Sequence, residues 1–150
     1  MLTRIALIVR VKNTELKQAR DRALYAAFKR LLAERGFPTM REAASAVCKQ
    51  PAPRFFIEPE KASLLVGYIL NDCAPSNWNR STRRLAQQLY ARYLAYVEAH
   101  PGSKMSRERI MEMIVEQPAP EFYIEGQRAR KILYAERSKA RKKWERWRER

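Results

Sequence analysis

A nonapeptide occurs twice in this chain. Residues 50–58 read QPAPRFFIE and residues 117–125 read QPAPEFYIE, seven of nine positions identical at an offset of 67. A repeat of that spacing points to duplication of a supersecondary unit. The register extends outward, pairing Thr39 with Ser106, Val47 with Ile114, Ala62 with Ala129, and Leu65 and Val66 with Ile132 and Leu133. Upstream the offset becomes 65, where Leu24 and Tyr25 match Leu89 and Tyr90, and Phe28 matches Tyr93. The two-residue difference falls between a stretch holding Gly36 and Pro38 and one holding Pro101 and Gly102. A loop there absorbs an insertion at small entropic cost.

Each copy parses into three helices. Asn13 or Thr14 is expected to cap a helix running to Arg35, whose Leu16, Ala19, Ala23, Leu24, Ala27, Phe28 and Leu31 follow the spacing of one buried face. Gly36 and Pro38 stop it. Thr39 with Glu42 forms a capping box for a second helix, with Ala43, Ala46 and Val47 inward. The prolines at 51 and 53 exclude helix interior, and Pro59 opens a third helix to about Leu70. In the second copy Ser81 or Thr82 opens the first helix, which ends near Ala99. Ser106 caps the second, with Ile110, Met113 and Ile114 inward, and the third begins near Gly126 with no breaker before Arg150. The fold expected is all-α, a tandem repeat of two three-helix, helix-turn-helix-like units with an extended basic C-terminal helix. The first unit is placed at residues 1–72 and the second at residues 73–150.

The repeated motif alternates. Phe55, Ile57, Phe122 and Ile124 are identical between copies and are expected in the core, in equivalent loops. Position 56/123 takes Phe or Tyr, so its ring tip is expected to reach solvent or a polar partner. Position 54/121 is Arg in one copy and Glu in the other, hence exposed. As a packing device the motif staples two helices. As the turn of a helix-turn-helix, its seven residues from Pro51 to Ile57 are longer than usual.

Charge supplies the functional direction. Against 16 Asp and Glu stand 31 Lys and Arg, a net of +15 in 150 residues. A charge that large repels itself, and a polyanionic partner is a natural reason to keep it. Residues 127–150 hold eleven basic and three acidic side chains, more than half the excess. Phosphate contacts are therefore expected at Arg128, Arg130, Lys131, Arg137, Lys139, Arg141, Lys142, Lys143, Arg146 and Arg148. Trp144 and Trp147 share one helix face within that run. They either stack on unpaired bases or dock the helix onto the body or a partner. A second basic surface comes from Lys12, Lys17, Arg20, Arg22, Lys29, Arg30 and Arg35. Between the copies, Arg80, Arg83 and Arg84 add a basic connection, in which Trp78 is a linker anchor or a base contact. The other third helix, PEKASLLVGYIL, is mostly apolar and belongs in a core or a protein interface.

Other chemistry has little to stand on. Cys48 and Cys73 have no CxxC or histidine neighbour and read as reduced thiols in a cytosol, Cys48 at an apolar position. A zinc site needs four ligands, and the one histidine is His100. The run Ile5 to Val9 is too short for a signal-peptide core, and no apolar stretch has transmembrane length. No Gly-rich phosphate loop, HExxH or nucleophile elbow occurs. Glu58 and Glu125 stand at helix starts, where the dipole accounts for a carboxylate. The expectation is a binding protein, not an enzyme, with no cofactor, metal or small-molecule substrate.

The PAPRFFI and PAPEFYI segments, each before a helix, resemble a PAPxFY(I/V) phrase in small basic proteins of bacteriophages and of mobile elements in gut bacteria. The resemblance covers about 30 residues of each copy and implies a phage or mobile-element setting, with no established activity. The leading reading is a cytoplasmic protein, of a bacterial cell or phage-associated. It binds double-stranded DNA in preference to RNA and acts as a regulator or DNA-organising factor. The first repeat would serve a protein partner or self-association. The alternatives are a structural protein of a virion or ribonucleoprotein, and a membrane-surface binder.

Overall fold

The computed structural model describes residues 2–150, with side chains from Asn13 onward. Among these residues the chain is all-α. Helix α1 spans Leu2–Arg35, α2 Met40–Val47, α3 Pro59–Leu70, α4 Arg80–Ala99, α5 Arg107–Ile114 and α6 Gly126–Arg148. The Lys12 side chain and the apolar run at residues 5–9 lie outside the described side chains.

Local chemistry explains most boundaries. Thr39 Oγ1 accepts from the Glu42 amide at 3.2 Å, and Ser106 Oγ accepts from the Arg109 amide at 3.2 Å, capping α2 and α5 alike. Gly36 ends α1 in the left-handed region at φ +63, its amide donating to the Leu32 carbonyl at 3.0 Å. Two helix starts differ from the sequence reading. Nothing breaks the chain between Leu2 and Asn13, so α1 begins at Leu2 and runs through Asn13 and Thr14 without capping there. Helix α4 is capped by Asn79, whose side-chain oxygen accepts from the Thr82 amide at 2.8 Å, so Ser81 lies inside the first turn, buried.

The helices group into two compact units that do not follow the division at residues 72 and 73. One comprises Pro53–Ala119 with the chain up to Leu16, the other Lys17–Ala52 with Pro120–Arg150. In the first, α3 packs on α4 and α5, and α4 on α5; in the second, α6 packs on α2. Each unit therefore takes its third helix from the other sequence copy. The chain crosses between units inside the repeated motif, after Ala52 and again after Ala119, both buried. The motif is a crossover and not a turn joining successive helices of one unit.

The motif also supplies each core. In the first unit Phe55 is 1% exposed, and Ile57, Leu65, Val66, Leu89, Met111 and Ile114 are buried. In the second, Phe122 is 5% exposed, and Ile124, Leu24, Phe28, Val47 and Leu133 are buried. The Phe55 amide donates to the Val115 carbonyl at 2.9 Å and the Phe122 amide to the Cys48 carbonyl at 3.1 Å, each bond within one unit. The two loops are not identical. Tyr123 adopts φ +56 whereas Phe56 stays out of the left-handed region, a local cost of about 1–2 kcal/mol carried in one loop only. Arg54 and Glu121 are half-buried, not fully exposed as the Arg/Glu exchange implied. In α2 the buried alanines are Ala43 and Ala44, with Ala46 half-buried. In α5 Met111 is buried in place of Met113, which is 41% exposed.

Candidate nucleic-acid interface

The exchange of third helices sorts the charge. The unit formed by residues 17–52 and 120–150 carries 19 Lys and Arg against 8 Asp and Glu, leaving +11. The other unit carries 12 against 8, leaving +4. The third helices diverge in the same sense, Arg130 of α6 corresponding to Ser63 of α3 and Lys131 to Leu64, whereas in the second helices Arg41 corresponds to Glu108 but Glu42 to Arg109.

Within the basic unit a groove of about 470 Å³ opens at the start of α6, lined by Arg41, Ser45, Gly126, Gln127 and Arg130. Gly126 faces α2 at Ser45: a Cβ there would lie 3.7 Å from Cα of Ser45, an ordinary van der Waals contact. From this groove α6 continues for 23 residues. Ala129, Leu133 and Glu136 form its buried stripe. Of the side chains expected to meet phosphate, Arg130 is half-buried in the groove wall. Arg128, Lys131, Arg137, Lys139, Arg141, Lys142, Lys143, Arg146 and Arg148 are exposed along α6. Lys139 Nζ pairs with Glu136 Oε1 at 3.0 Å and Arg141 Nε with Glu145 Oε1 at 3.4 Å. The second pair is open to water and contributes little to stability.

Trp144 is 55% exposed and Trp147 is 72% exposed. Docking of this pair onto the protein's own body, the structural reading of its helical spacing, is not found. The Arg148 guanidinium lies over the Trp144 ring at 5.4 Å from its centroid. The third tryptophan is placed differently. Trp78 is half-buried and meets the Tyr68 ring edge-on at 5.9 Å, which makes it an anchor of the segment before α4.

The basic face of α1 is thinner than its composition implied. Arg20 turns to Asp21 at 3.0 Å with its side chain 15% exposed, whereas Lys17, Arg22, Lys29, Arg30 and Arg35 are exposed. Lys29 and Arg35 cover the Tyr25 and Phe37 rings at 5.0 and 4.9 Å. In the other unit, Arg92 lies over the Phe55 ring at 5.0 Å and donates to Gln117 Oε1 at 2.9 Å, in the wall of a mostly apolar groove of about 460 Å³. The Arg107 guanidinium packs over Gly67 and donates through Nε to Ser63 Oγ at 3.0 Å. Sequence reasoning missed this contact; glycine inside an otherwise apolar helix was its signal.

The reactive side chains have structural settings. Burial pushes the Cys48 thiol above its ordinary pKa, and its Sγ donates to the Ser45 carbonyl at 3.3 Å. Cys73 is free and exposed. His100 ends α4, with Nδ1 3.0 Å from the Tyr96 carbonyl and its ring stacked on Tyr96 at 4.2 Å. Glu58 stands at the N-cap of α3 without a side-chain capping bond, one carboxylate oxygen buried and unpaired. Among the described residues no group of three His, Cys, Asp or Glu could hold a metal ion, and no helix is long and apolar enough to cross a membrane. Comparison with family models, curated proteins and solved structures finds no match.

Proposed function

We propose that this protein binds nucleic acid, duplex DNA foremost, and acts as a regulator or DNA-organising factor rather than as a catalyst. The observation that carries the reading is the gathering of +11 of the net +15 on the unit built from α2, α6 and the later part of α1, with the cations of α6 open to solvent. Neutralising duplex phosphates with such a surface releases condensed counterions, the main driving force of sequence-independent binding. In this reading the basic unit is helix-turn-helix-like in its layout alone, with α6 in the position of the third helix although it comes from the second sequence copy and no turn joins it to α2. The groove at Arg41 and Arg130 places two guanidinium groups where α6 begins, suited to bidentate contacts with phosphate. The resemblance of the repeated motif to phage and mobile-element proteins fits a bacterial or phage setting.

Replacing Lys142, Lys143 and Arg146 together with Gln tests this directly. Affinity for random-sequence duplexes should fall by a similar factor on every sequence, because these side chains meet backbone and not base edges. Unchanged affinity would reject the assignment.

A second reading is a structural protein of a virion or ribonucleoprotein. The weakly charged unit, with Leu94 and Val97 exposed on α4 and its apolar groove along Ala91 and Ala95, would then pack on protein while α6 holds the packaged nucleic acid.

A further inference from the structure

The stripe that α6 buries does not stop where its burial stops. Ala129, Leu133 and Glu136 are buried in the unit where α6 packs on α2. The same three-and-four spacing continues through Ala140, Trp144 and Trp147, all exposed. At 3.6 residues per turn, Arg137, Lys143 and Arg148 border this continuation on its two sides, while Glu145 and Glu149 fall on the opposite face. An aromatic strip thus has cations at both edges, with Glu145 and Glu149 turned away and Glu136, at the buried end of the stripe, paired with Lys139.

We propose that this strip is a stacking site for the unpaired bases of a nucleic-acid strand, with Arg137, Lys143 and Arg148 on the adjoining phosphates. The proposal rests on the nucleic-acid reading above and adds to backbone binding of duplex a second mode, in which this strip takes the bases of a strand that has them available. Paired bases hide their faces, and the two indoles, about 4.5 Å apart along the helix axis, can each take one base. Charge selects this occupant. A second copy laid along the same strip would bring two sets of cations together without acids to meet them. A lipid surface calls for a broad apolar face, and between Arg137 and Arg150 the apolar side chains are Ala140, Trp144 and Trp147 alone.

The test uses the full chain and two double variants, one with Trp144→Ala and Trp147→Ala, the other with both replaced by Phe. Each is titrated against an oligo-dT strand, a random-sequence duplex of equal length, and phosphatidylserine-containing vesicles. Far-UV circular dichroism and sedimentation are recorded on the same samples. The Ala variant should lose about 5- to 150-fold in oligo-dT affinity per stacked base, while duplex affinity stays nearly unchanged and the Phe variant retains most binding. Indole fluorescence of the parent should be quenched by oligo-dT, and the quenching should disappear in the Ala variant. Equal loss on strand and duplex, undiminished oligo-dT binding, Trp-dependent vesicle binding, or a change in sedimentation on Trp removal would each overturn the stacking site. Binding to duplex that persists with no Trp dependence on either nucleic acid defeats this inference alone, whereas binding to neither nucleic acid defeats the parent reading as well.

Discussion

The Phe55 amide reaches across sixty residues of sequence to the Val115 carbonyl at 2.9 Å, inside the unit that holds α3, α4 and α5. The same bond recurs at the repeat equivalents, Phe122 to Cys48 at 3.1 Å, inside the unit that holds α2 and α6. Each motif hands its aromatic residue to the body built from the other copy's second helix.

Both rings should therefore be strong determinants of stability. Phe122→Ala is expected to cost about 3–5 kcal/mol in denaturant unfolding, and Phe55→Ala a similar amount, as large-to-small core changes do. A loss below about 1 kcal/mol at either position would show that the ring is not core.

The exchange also sets which fragments fold. A peptide of residues 53–119 carries α3 with its partners α4 and α5, and it should show helical circular dichroism with a cooperative melt. A peptide of residues 1–72 carries α2 without α6 and α3 without α5, and it should melt without cooperativity. The opposite outcome would mean that the repeats fold in chain order.

Gly67 offers a coupling test. A Cβ at this position would lie 2.8 Å from an Arg107 guanidinium nitrogen, so alanine there must displace the guanidinium from its place beside Ser63. In the parent, Gly67→Ala should gain little. In an Arg107→Ala background the same change should stabilise by about 1 kcal/mol, the helix-propensity difference between glycine and alanine. Equal effects in both backgrounds, read by thermal or chemical unfolding, would show that the two residues are not coupled.

Much of the local structure was legible in the residues. Proline and glycine fixed most helix ends, Ser106 and Thr39 the caps, and identity between copies the burial of Phe55, Ile57, Phe122 and Ile124. The exchange was not legible, because the two third helices present similar inner faces: Ala62 and Val66 on one, Ala129 and Leu133 on the other. Periodicity identifies such a face but not which copy it meets. The extended length of the PAP motif was the available signal, being long for a turn. The start of α1 was misplaced because Asn13 and Thr14 are favourable caps only where the chain upstream leaves the helix. The exposure of Trp144 and Trp147 could not be read from spacing, since a buried stripe and its free continuation share one pattern.

The central claim is that α6 binds along a phosphate backbone. Its most direct test is the slope of log K against log salt for duplex DNA, measured for the full chain and for a chain ending at residue 137. Residues 138–150 are exposed throughout and carry Lys139, Arg141, Lys142, Lys143, Arg146, Arg148 and Arg150 against Glu145 and Glu149, so the fold should survive their removal. The slope should flatten by about 0.9 for each duplex phosphate that the shortened chain no longer neutralises, with affinity falling on all sequences together. Affinity and slope that match the full chain would contradict the account.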